Sequence, residues 1–328
     1  MKLLVIGHDA VTDLLKLPDC IAVMRQTLID LSTGAGHQPL RSTVMPPGLD
    51  GFLGLMPGYV GGAVPALGVK LLGIFPGNSA IGKDSHQGVV VLLDPHTGEP
   101  RAIVDATAIT SVRTSAVSAV ATDALARPDA SVLGVIGTGF QAQWHVRAIA
   151  QVRTLRQVRM TGRDAARGTE VAAALADETG FDVTYAPDGA TAVDGADIVV
   201  TATTSATPVI EHGWLAPGAH VNAVGACLPH MRELDAATVA GSRFVVDRRE
   251  SAVAESGDYR IAVDEAGIGP DHIAADLGEV LAGTVTGRRS DDELTVFESL
   301  GLAVQDLAAA AYVCAKSEGA GRGSLVQF

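Results

Sequence analysis

The sequence predicts an α/β protein in which a doubly wound parallel sheet is inserted into a discontinuous α+β domain. Between about residues 131 and 246, short apolar runs alternate with helical patterns, as in successive βαβ units. The first 110 or so residues carry Gly/Pro punctuation between short β-rich runs, and an apolar helical pattern lies near the end of the chain. Because that last pattern can return to pack on the N-terminal part, we expect one domain from residues 1–115 with 302–328 and a second from residues 116–301.

The alternating region accounts for the parallel sheet. Its helical patterns, such as Gln141–Gln151 and Ala165–Glu178, lie between apolar runs short enough to be buried strands. The predicted strands are Val132–Ile136, Val158–Thr161, Val183–Tyr185, Ile198–Ala202, His220–Val224 and Phe244–Asp247.

The remaining elements belong to the α+β domain and its connections. Val89–Leu93 and Ala102–Val104 flank a turn-forming segment at residues 94–99, which predicts a hairpin. A helical pattern from Ala108 to Ala126 joins the two domains. A final helical pattern, Leu302–Lys316, follows a β-like run at Leu294–Phe297.

The composition argues against several classes of protein. A net charge of −13 disfavours nucleic acid or an anionic membrane as a partner. The N-terminal apolar run ends after four residues, and the longest other candidate, Leu302–Ala315, is interrupted by Asp306, so we expect neither a signal peptide nor a membrane helix. Three widely spaced cysteines indicate neither a disulfide framework nor a zinc site. We therefore expect a cytoplasmic enzyme without a bound metal.

A strand that runs directly into Gly-x-Gly-x-x-Ala and then a helix predicts a Rossmann-type dinucleotide site at Val132–Ala142. Gly137 permits the tight turn, Gly139 lets the backbone approach a pyrophosphate, and Ala142 lets the helix pack on the strand. Such a motif alone often marks only a turn, but here further β/α alternation follows it. We expect the cofactor to contact Gly137, Thr138, Gly139, Phe140 and Gln141.

The end of the second predicted strand of this domain indicates which dinucleotide is bound. An NAD site usually carries an acid there for the ribose 2′-hydroxyl, but this chain has Gly162 followed by Arg163. A guanidinium can pair with a 2′-phosphate, which favours NADPH and leaves NADH open. Asp164 is either the missing acid or the N-cap of the next helix.

Three cations outside the dinucleotide segment have contexts that suggest inward placement. Arg41 follows Gln38-Pro39-Leu40, Lys70 is the lone charge of an apolar run, and Arg113 lies near the start of the joining helix. Two arginines and a lysine suit an α-carboxylate, through bidentate contact and a point charge. The alternative is three surface cations whose stems lie along apolar surface.

Over nearly its whole length the sequence resembles the ornithine cyclodeaminase/μ-crystallin family. The resembling segments are Gly54–Pro57, Gly68–Lys70, Ser85–Gln87, Ser111–Thr114, Gly137–Ala142, Asn222–Ala226, Arg232–Asp235, Asp276–Glu279 and Thr295–Gly301. The resemblance implies that Arg41, Lys70 and Arg113 hold a substrate carboxylate. It also implies a homodimer built through the discontinuous domain, which would bind substrate and mediate dimerisation.

The resemblance and the positions of strand ends extend the predicted sites. His86 lies in a family motif that approaches the nicotinamide side, and a direct catalytic role for it stays open. Met56 and Cys227 are added as substrate-binding residues. Further cofactor-binding residues are Ser85, His86, Thr114, Gly162, Arg163, Thr201, Ala202, Thr203, Val224 and Gly225.

Two departures from the cyclodeaminase pattern indicate a branch of the family. Cyclodeaminases carry an Asp where this chain has Cys227 and a Glu where it has Gly54, so the partners for a diamine are missing. Cys227 is either a weak acid or a small buried residue. The pattern is closer to the ketimine reductases, which reduce small cyclic imino acids such as Δ1-pyrroline-2-carboxylate or Δ1-piperideine-2-carboxylate.

The predicted chemistry is hydride transfer from NADPH to a C=N carbon while Arg41, Lys70 and Arg113 clamp the carboxylate. The substrate nitrogen receives its proton from Lys70 or from a water, or it already carries one as an iminium ion. Three alternatives stay open: ornithine cyclodeamination with recycled NAD, alanine-dehydrogenase-type reductive amination, and a binding protein that has lost catalysis. Ring size, product stereochemistry and pathway are not predicted.

Overall fold

The computed structural model describes residues 2–62 and 64–327. The chain divides into two compact units, which are Met1–Arg113 with Leu302–Phe328 (unit 1) and Thr114–Gly301 (unit 2). Each unit contains one β-sheet.

Strands and helices alternate along most of the described residues. The strands are β1 (Lys2–Ile6), β2 (Gly36–His37), β3 (Ser42–Val44), β4 (Phe52–Val60), β5 (Ala66–Ile74), β6 (His86–Leu93), β7 (Pro100–Asp105), β8 (Val132–Ile136), β9 (Gln157–Thr161), β10 (Asp182–Tyr185), β11 (Ile198–Thr201), β12 (His220–Ala223), β13 (Arg243–Val246), β14 (Ile273–Asp276), β15 (Thr295–Glu298) and β16 (Ser324–Gln327). The α-helices are α1 (His8–Leu14), α2 (Leu17–Ser32), α3 (Ala106–Leu125), α4 (Phe140–Ile149), α5 (Ala165–Thr179), α6 (Gly189–Val193), α7 (Ala236–Ala240), α8 (Arg249–Glu255), α9 (Gly257–Ala266), α10 (Leu277–Leu281) and α11 (Ala303–Ala320). Short 3₁₀ turns lie at Pro76–Ile81, His212–Trp214 and Pro270–His272.

The sheet of unit 1 has the order β16-β1-β7-β6-β5-β4-β2, with β3 also paired to β4. Its pairs are antiparallel except for β1 with β7. The predicted hairpin is confirmed, because β6 and β7 pair antiparallel across residues 94–99. The sequence analysis did not identify β1, which pairs with the C-terminal strand β16.

Helix α11 packs on β4, β5 and β6 of this sheet and on helix α2. Its approach is close because Gly58 and Gly68 form a cross-strand pair beneath it. An added Cβ would lie 3.3 Å from the Leu307 side chain at Gly58 and 3.1 Å from it at Gly68. Two adjacent glycines therefore make the shallow surface on which this helix rests.

The sheet of unit 2 has eight strands in the order β10-β9-β8-β11-β12-β15-β13-β14, all of them parallel. The doubly wound prediction is confirmed, because buried side chains alternate between two apolar cores. Val132 and Ile136 belong to one core, whereas Leu133 and Val135 of the same strand belong to the other. The strand β14 was not predicted.

Two features are absent from the described residues. None of their helices is long and apolar enough to cross a bilayer. No group of three or more His, Cys, Asp or Glu side chains in the same ranges has the arrangement that could hold a metal ion.

The glycine surface under α11 generates a prediction about stability. Gly68→Ala should lower the free energy of unfolding by about 1–3 kcal/mol, because the added methyl meets Leu307 and the Val91 carbonyl oxygen. Urea unfolding measures this. Gly73→Ala on the same strand is the matched control, since its Cβ would find atoms no closer than 3.6 Å. Equal stability of the two variants would contradict the proposed close packing.

Candidate functional site

The turn after β8 has the geometry expected of a phosphate-binding loop. Gly137 adopts a φ of +130°, and its N–H donates to the Thr161 carbonyl oxygen at 2.8 Å. A Cβ at this position would lie 2.7 Å from the Ala202 carbonyl oxygen. Only glycine therefore fits between the ends of β8 and β11, which is where the strand order of the sheet reverses.

The start of helix α4 is open to a ligand. Gly139 is its N-cap, makes no side-chain capping hydrogen bond, and has no atom within 4 Å of the place its Cβ would occupy. Phe140 begins the helix and remains 57% exposed. Thr138 lies against Gly162, where a Cβ would be 2.9 Å from the Thr138 hydroxyl oxygen. Uncapped N–H groups with open space before them suit a pyrophosphate.

The end of β9 decides between the two interpretations of Asp164. Its carboxylate accepts a hydrogen bond from the Arg167 N–H at 3.1 Å and caps helix α5. Asp164 thus has the N-cap role, and the neighbouring Arg163 is exposed. No hydrogen bond or ion pair of the Arg163 side chain involves another residue of the described ranges, so its guanidinium remains available to a ligand.

A buried carboxylate that the sequence analysis did not single out organises the ends of β11 and β12. Glu233 accepts hydrogen bonds from the Thr201 hydroxyl at 2.8 Å, the Thr203 N–H at 2.6 Å and the Gly225 N–H at 2.6 Å. Burial raises the pKa of Glu233, and these donors oppose the rise. The backbones meet closely, since a Cβ at Gly225 would collide with the Thr203 carbonyl oxygen.

Glu233 is itself held in place. The Asp258 carboxylate accepts from the Glu233 and Leu234 N–H groups at 2.8 and 2.9 Å. Around this contact, the predicted residues Thr201, Thr203 and Gly225 are brought together, with Ala202 and Val224 beside them in the chain. The signal in the sequence was the Arg232–Asp235 segment, which was used only as a sign of family resemblance.

Three other predicted cofactor residues divide between the two units. Thr114 begins unit 2, and its hydroxyl oxygen is buried without a hydrogen-bond partner in residues 2–62 and 64–327. In unit 1, the Ser85 hydroxyl and His86 Nδ1 lie 2.9 Å apart. Desolvation and the nearby Lys70 charge lower the pKa of His86. A neutral imidazole is therefore favoured at neutral pH.

Lys70 lies on β5 in the middle of the unit 1 sheet and is 1% exposed. Its ammonium donates to the Thr110 hydroxyl at 2.7 Å and to Asp306 Oδ1 at 3.0 Å. Its third hydrogen has no acceptor in the described part of the chain. The inward placement predicted for this cation is therefore observed.

Arg113 converges on the same carboxylate oxygen. Its Nε donates to Asp306 Oδ1 at 3.0 Å, and Nη1 donates to Gln305 Oε1 at 2.9 Å. Its Nη2 has no hydrogen-bond partner among the described residues. We call Lys70, Arg113 and Asp306 the buried ion cluster. In the sequence, Asp306 stands out only as an interruption of an apolar helix, yet one acid in a buried helix indicates a partner for one buried lysine.

The environment of Lys70 within unit 1 lowers the pKa of its ammonium group. Burial is the largest cause and, against the attraction of Asp306, lowers the pKa of Lys70 to about 8. The charges of Arg113 and Arg41 lower it further. The partly buried Arg41 is thus near enough to act on the cluster, and all three predicted cations belong to one electrostatic group.

The remaining predicted substrate residues are of two kinds. Met56 pairs directly with Lys70 across β4 and β5 and is buried. Gly54, two residues before it, needs no glycine for packing, because an added Cβ would meet only the Leu72 carbonyl oxygen and Cβ, at 3.6 and 3.9 Å. Cys227 belongs to unit 2 and is half-buried against its apolar core. That environment agrees with a small packing residue.

Comparison with known proteins gives close relatives over the whole chain. A Delta(1)-pyrroline-2-carboxylate reductase of Bacillus cereus is 35% identical and covers 99% of this chain and 100% of its own. Ketimine reductase mu-crystallin of Mus musculus is 40% identical over 85% of each chain.

Solved structures agree with this chain in fold. Delta(1)-pyrroline-2-carboxylate reductase of Thermococcus litoralis, in complex with NADH and L-proline, superposes with a TM-score of 0.95 at 33% identity and covers 98% of this chain and 100% of its own. An archaeal alanine dehydrogenase dimer with bound NAD has a TM-score of 0.94 at 31% identity and covers 100% of both chains.

The sequence model of one family matches residues 2–321, which is nearly the entire chain. This match agrees with the resemblance carried by the sequence motifs and with the relatives just described. The chain belongs to the ornithine cyclodeaminase/mu-crystallin family.

Proposed function

We propose that this protein is an NAD(P)H-dependent reductase of a small cyclic imino acid, such as Δ1-pyrroline-2-carboxylate or Δ1-piperideine-2-carboxylate. The buried ion cluster is the observation that carries the proposal, because it presents donors to a carboxylate. The family relatives named as pyrroline-2-carboxylate and ketimine reductases support the reaction type. A product of the proline or pipecolate type follows.

We expect the substrate carboxylate to accept hydrogen bonds from the N–H groups of the cluster that have no acceptor in the described part of the protein. The third ammonium hydrogen of Lys70 and Nη2 of Arg113 are both without a protein acceptor in the described ranges. Lys70 and Arg113 carry two positive charges against the single negative charge of Asp306, and Arg41 lies near enough to act on Lys70. A substrate carboxylate restores the balance, and the planar guanidinium orients it.

Reduction of the C=N bond also requires one proton at the substrate nitrogen. A bound dihydronicotinamide supplies the hydride to the C=N carbon. We assign the proton to the Lys70 ammonium, whose pKa of about 8 keeps it charged at neutral pH yet ready to release a proton. After this transfer the Lys70 side chain is a neutral amine, which is tolerated because its site is buried and already disfavours charge.

The dinucleotide fits the residues of unit 2. A phosphate and its sugar would use the uncapped N-terminus of α4 and the open space at Gly139. They would also use the Thr114 hydroxyl, which has no hydrogen-bond partner within the described ranges. The exposed Arg163, which has no side-chain partner among the described residues, supports a preference for NADPH. Related structures hold NADH and NAD, so NADH stays an alternative cofactor.

Two other activities are kept as alternatives. Alanine-dehydrogenase-type reductive amination is favoured by the similarity to the archaeal alanine dehydrogenase. Ornithine cyclodeamination is disfavoured, since Gly54 and Cys227 replace the two carboxylates that a diamine would need. Gly54 in particular has room for a larger residue, so packing does not explain the missing acid.

We also propose a homodimer formed through unit 1. Around β3 and β4 several large apolar side chains are exposed, which a monomer would leave in water. They are Leu40, Val44, Met45, Leu49 and Leu53. The related alanine dehydrogenase is described as a dimer. The cytoplasmic location expected from the sequence stays a prediction.

The reaction is tested by following NADPH oxidation with alternative substrates. We expect oxidation with five- or six-membered cyclic imino acids, and none with ornithine. Oxidation only with pyruvate plus ammonia would replace the proposal with an alanine dehydrogenase. Tight NADPH binding without oxidation by any of these substrates would indicate a binding protein.

Replacing Lys70 tests the proton donor. Lys70→Met should lower kcat for a cyclic imine by about 10²–10⁴-fold, because a positioned general acid is lost. In the unmodified enzyme, the rate should fall as pH rises through about 8, since the raised pH removes the ammonium proton. Lys316→Met, at an exposed position, is the control and should keep normal kinetics. Normal turnover of Lys70→Met would exclude this role.

Replacing Arg163 tests the cofactor preference. Arg163→Ser should raise the KM for NADPH by about tenfold and leave that for NADH nearly unchanged, because only NADPH carries the 2′-phosphate. Steady-state kinetics with each cofactor measure this. Arg167→Ser removes an exposed arginine of α5 and should change neither value. A clear NADH preference of the unmodified enzyme would overturn the assignment.

A further inference from the structure

We propose that Asp306 is the positioning residue of the active site, holding Lys70 in its charged, proton-donating form and fixing its spacing from Arg113. The inference deepens the proposed function and rests on it for the meaning of the proton. Its structural basis lies entirely within unit 1.

The geometry is that of a single shared oxygen. Oδ1 of Asp306 accepts from Lys70 Nζ and from Arg113 Nε, each at 3.0 Å, so the two nitrogens cannot lie further apart than the sum of those distances. Like charges at this separation repel in a buried site unless an anion lies between them. The carboxylate therefore sets the spacing at which both cations can meet one substrate carboxylate.

The second carboxylate oxygen shows that Asp306 is not a fully satisfied structural group. Its side chain is completely buried, yet Oδ2 has no hydrogen-bond partner within residues 2–62 and 64–327. A carboxylate retained only for stability would be expected to use both oxygens, because a buried unsatisfied acceptor is unfavourable. All of its direct donors are instead the two cations of the cluster.

The charges around Lys70 explain why an anion is needed to keep its side chain protonated. Arg113 and Arg41 both disfavour its proton, and so does burial. His86, whose pKa is lowered, adds no positive charge at neutral pH. Among the charged side chains that act on Lys70 in the described residues, Asp306 is thus the one whose charge favours the ammonium.

One further titratable group lies near Asp306. The Cys20 thiol is completely buried, and burial raises its pKa beyond the physiological range. It stays neutral and contributes no compensating anion. Charge at Lys70 therefore depends on Asp306 alone among these neighbours.

The proton step can be written with all its atoms. Hydride from the reduced nicotinamide forms the new C–H bond, which oxidises NAD(P)H to NAD(P)⁺ and reduces the C=N bond. One N–H bond of the Lys70 ammonium breaks, and one N–H bond forms at the substrate nitrogen. The neutral lysine amine then regains a proton from solvent, and Asp306 stays ionised throughout.

The decisive variant is Asp306→Asn, which keeps the size of the side chain and removes its charge. We expect the alkaline limb of the kcat profile to move to lower pH by about one unit or more, because an opposite charge in contact shifts a pKa by that order. At about pH 6 the KM for the imino acid should not rise, since Lys70 is still charged and the amide oxygen of the variant can still accept from both cations at the same spacing. A fall in kcat by the same factor at every pH, with the alkaline limb unmoved, would mean a structural role and would overturn the proposal.

A titration that needs no catalysis separates this proposal from the proposed function. The chain has five lysines, and Lys2, Lys16, Lys83 and Lys316 are exposed, so the signal of Lys70 can be assigned as the one missing in Lys70→Met. NMR of lysine-labelled protein should give a midpoint near 8 for Lys70 and a lower one in Asp306→Asn. An unchanged midpoint refutes the role of Asp306 even if the enzyme is active. A lowered midpoint in a protein without reductase activity supports the electrostatic role and rejects the proposed reaction.

A control variant and a measurement on the unmodified protein complete the test. Asp247→Asn makes the same change at a buried carboxylate of unit 2, which accepts from the Leu300 and Gly301 N–H groups at 2.9 and 2.7 Å. It should leave the Lys70 midpoint unchanged. If Asp306→Asn does not fold, the unmodified protein still decides, since a Lys70 midpoint below about 6 would mean that Asp306 does not preserve the ammonium.

Discussion

Lys70 and Arg113 donate hydrogen bonds to the same oxygen of Asp306, and the buried ion cluster of unit 1 depends on this interaction. Burying a lysine and an arginine side by side is strongly unfavourable, because each loses its hydration and repels the other. Asp306 offsets part of this cost by accepting from both at 3.0 Å. Two cations against one anion leave the cluster with a net positive charge, which suits the anionic substrate proposed above.

This interaction in turn depends on backbone shape. Helix α11 can bring Asp306 to Lys70 because Gly58 and Gly68 leave no side chain between the helix and the sheet. Lys70 follows Gly68 by two residues, so it shares that face of the strand, and Asp306 immediately precedes Leu307, which rests on the glycines. The glycines therefore contribute to the site by allowing the close approach of the helix that carries Asp306.

Unit 2 uses a buried carboxylate for a different purpose. Glu233 ties Thr201, Thr203 and Gly225 together and so fixes the ends of β11 and β12 beside the glycine turn. Its hydrogen bonds in the described part of the chain come from neutral backbone and hydroxyl donors, so its contribution there is to shape the strand ends. The two acids illustrate how a buried charge can either set the protonation of a neighbour or fix a backbone.

The sequence by itself determined the parallel sheet, the glycine turn at Gly137 and the inward placement of Lys70, because these follow from local periodicity, local turn geometry and the cost of a lone charge in an apolar strand. The strand β14 was not predicted, since two of its four residues are alanines, which are uncommon in strands. Only the tertiary structure decided the partners: Asp306 lies 236 positions after Lys70, and Glu233 lies 32 after Thr201. Pairing over such separations depends on how helices and strands pack, which no local pattern encodes.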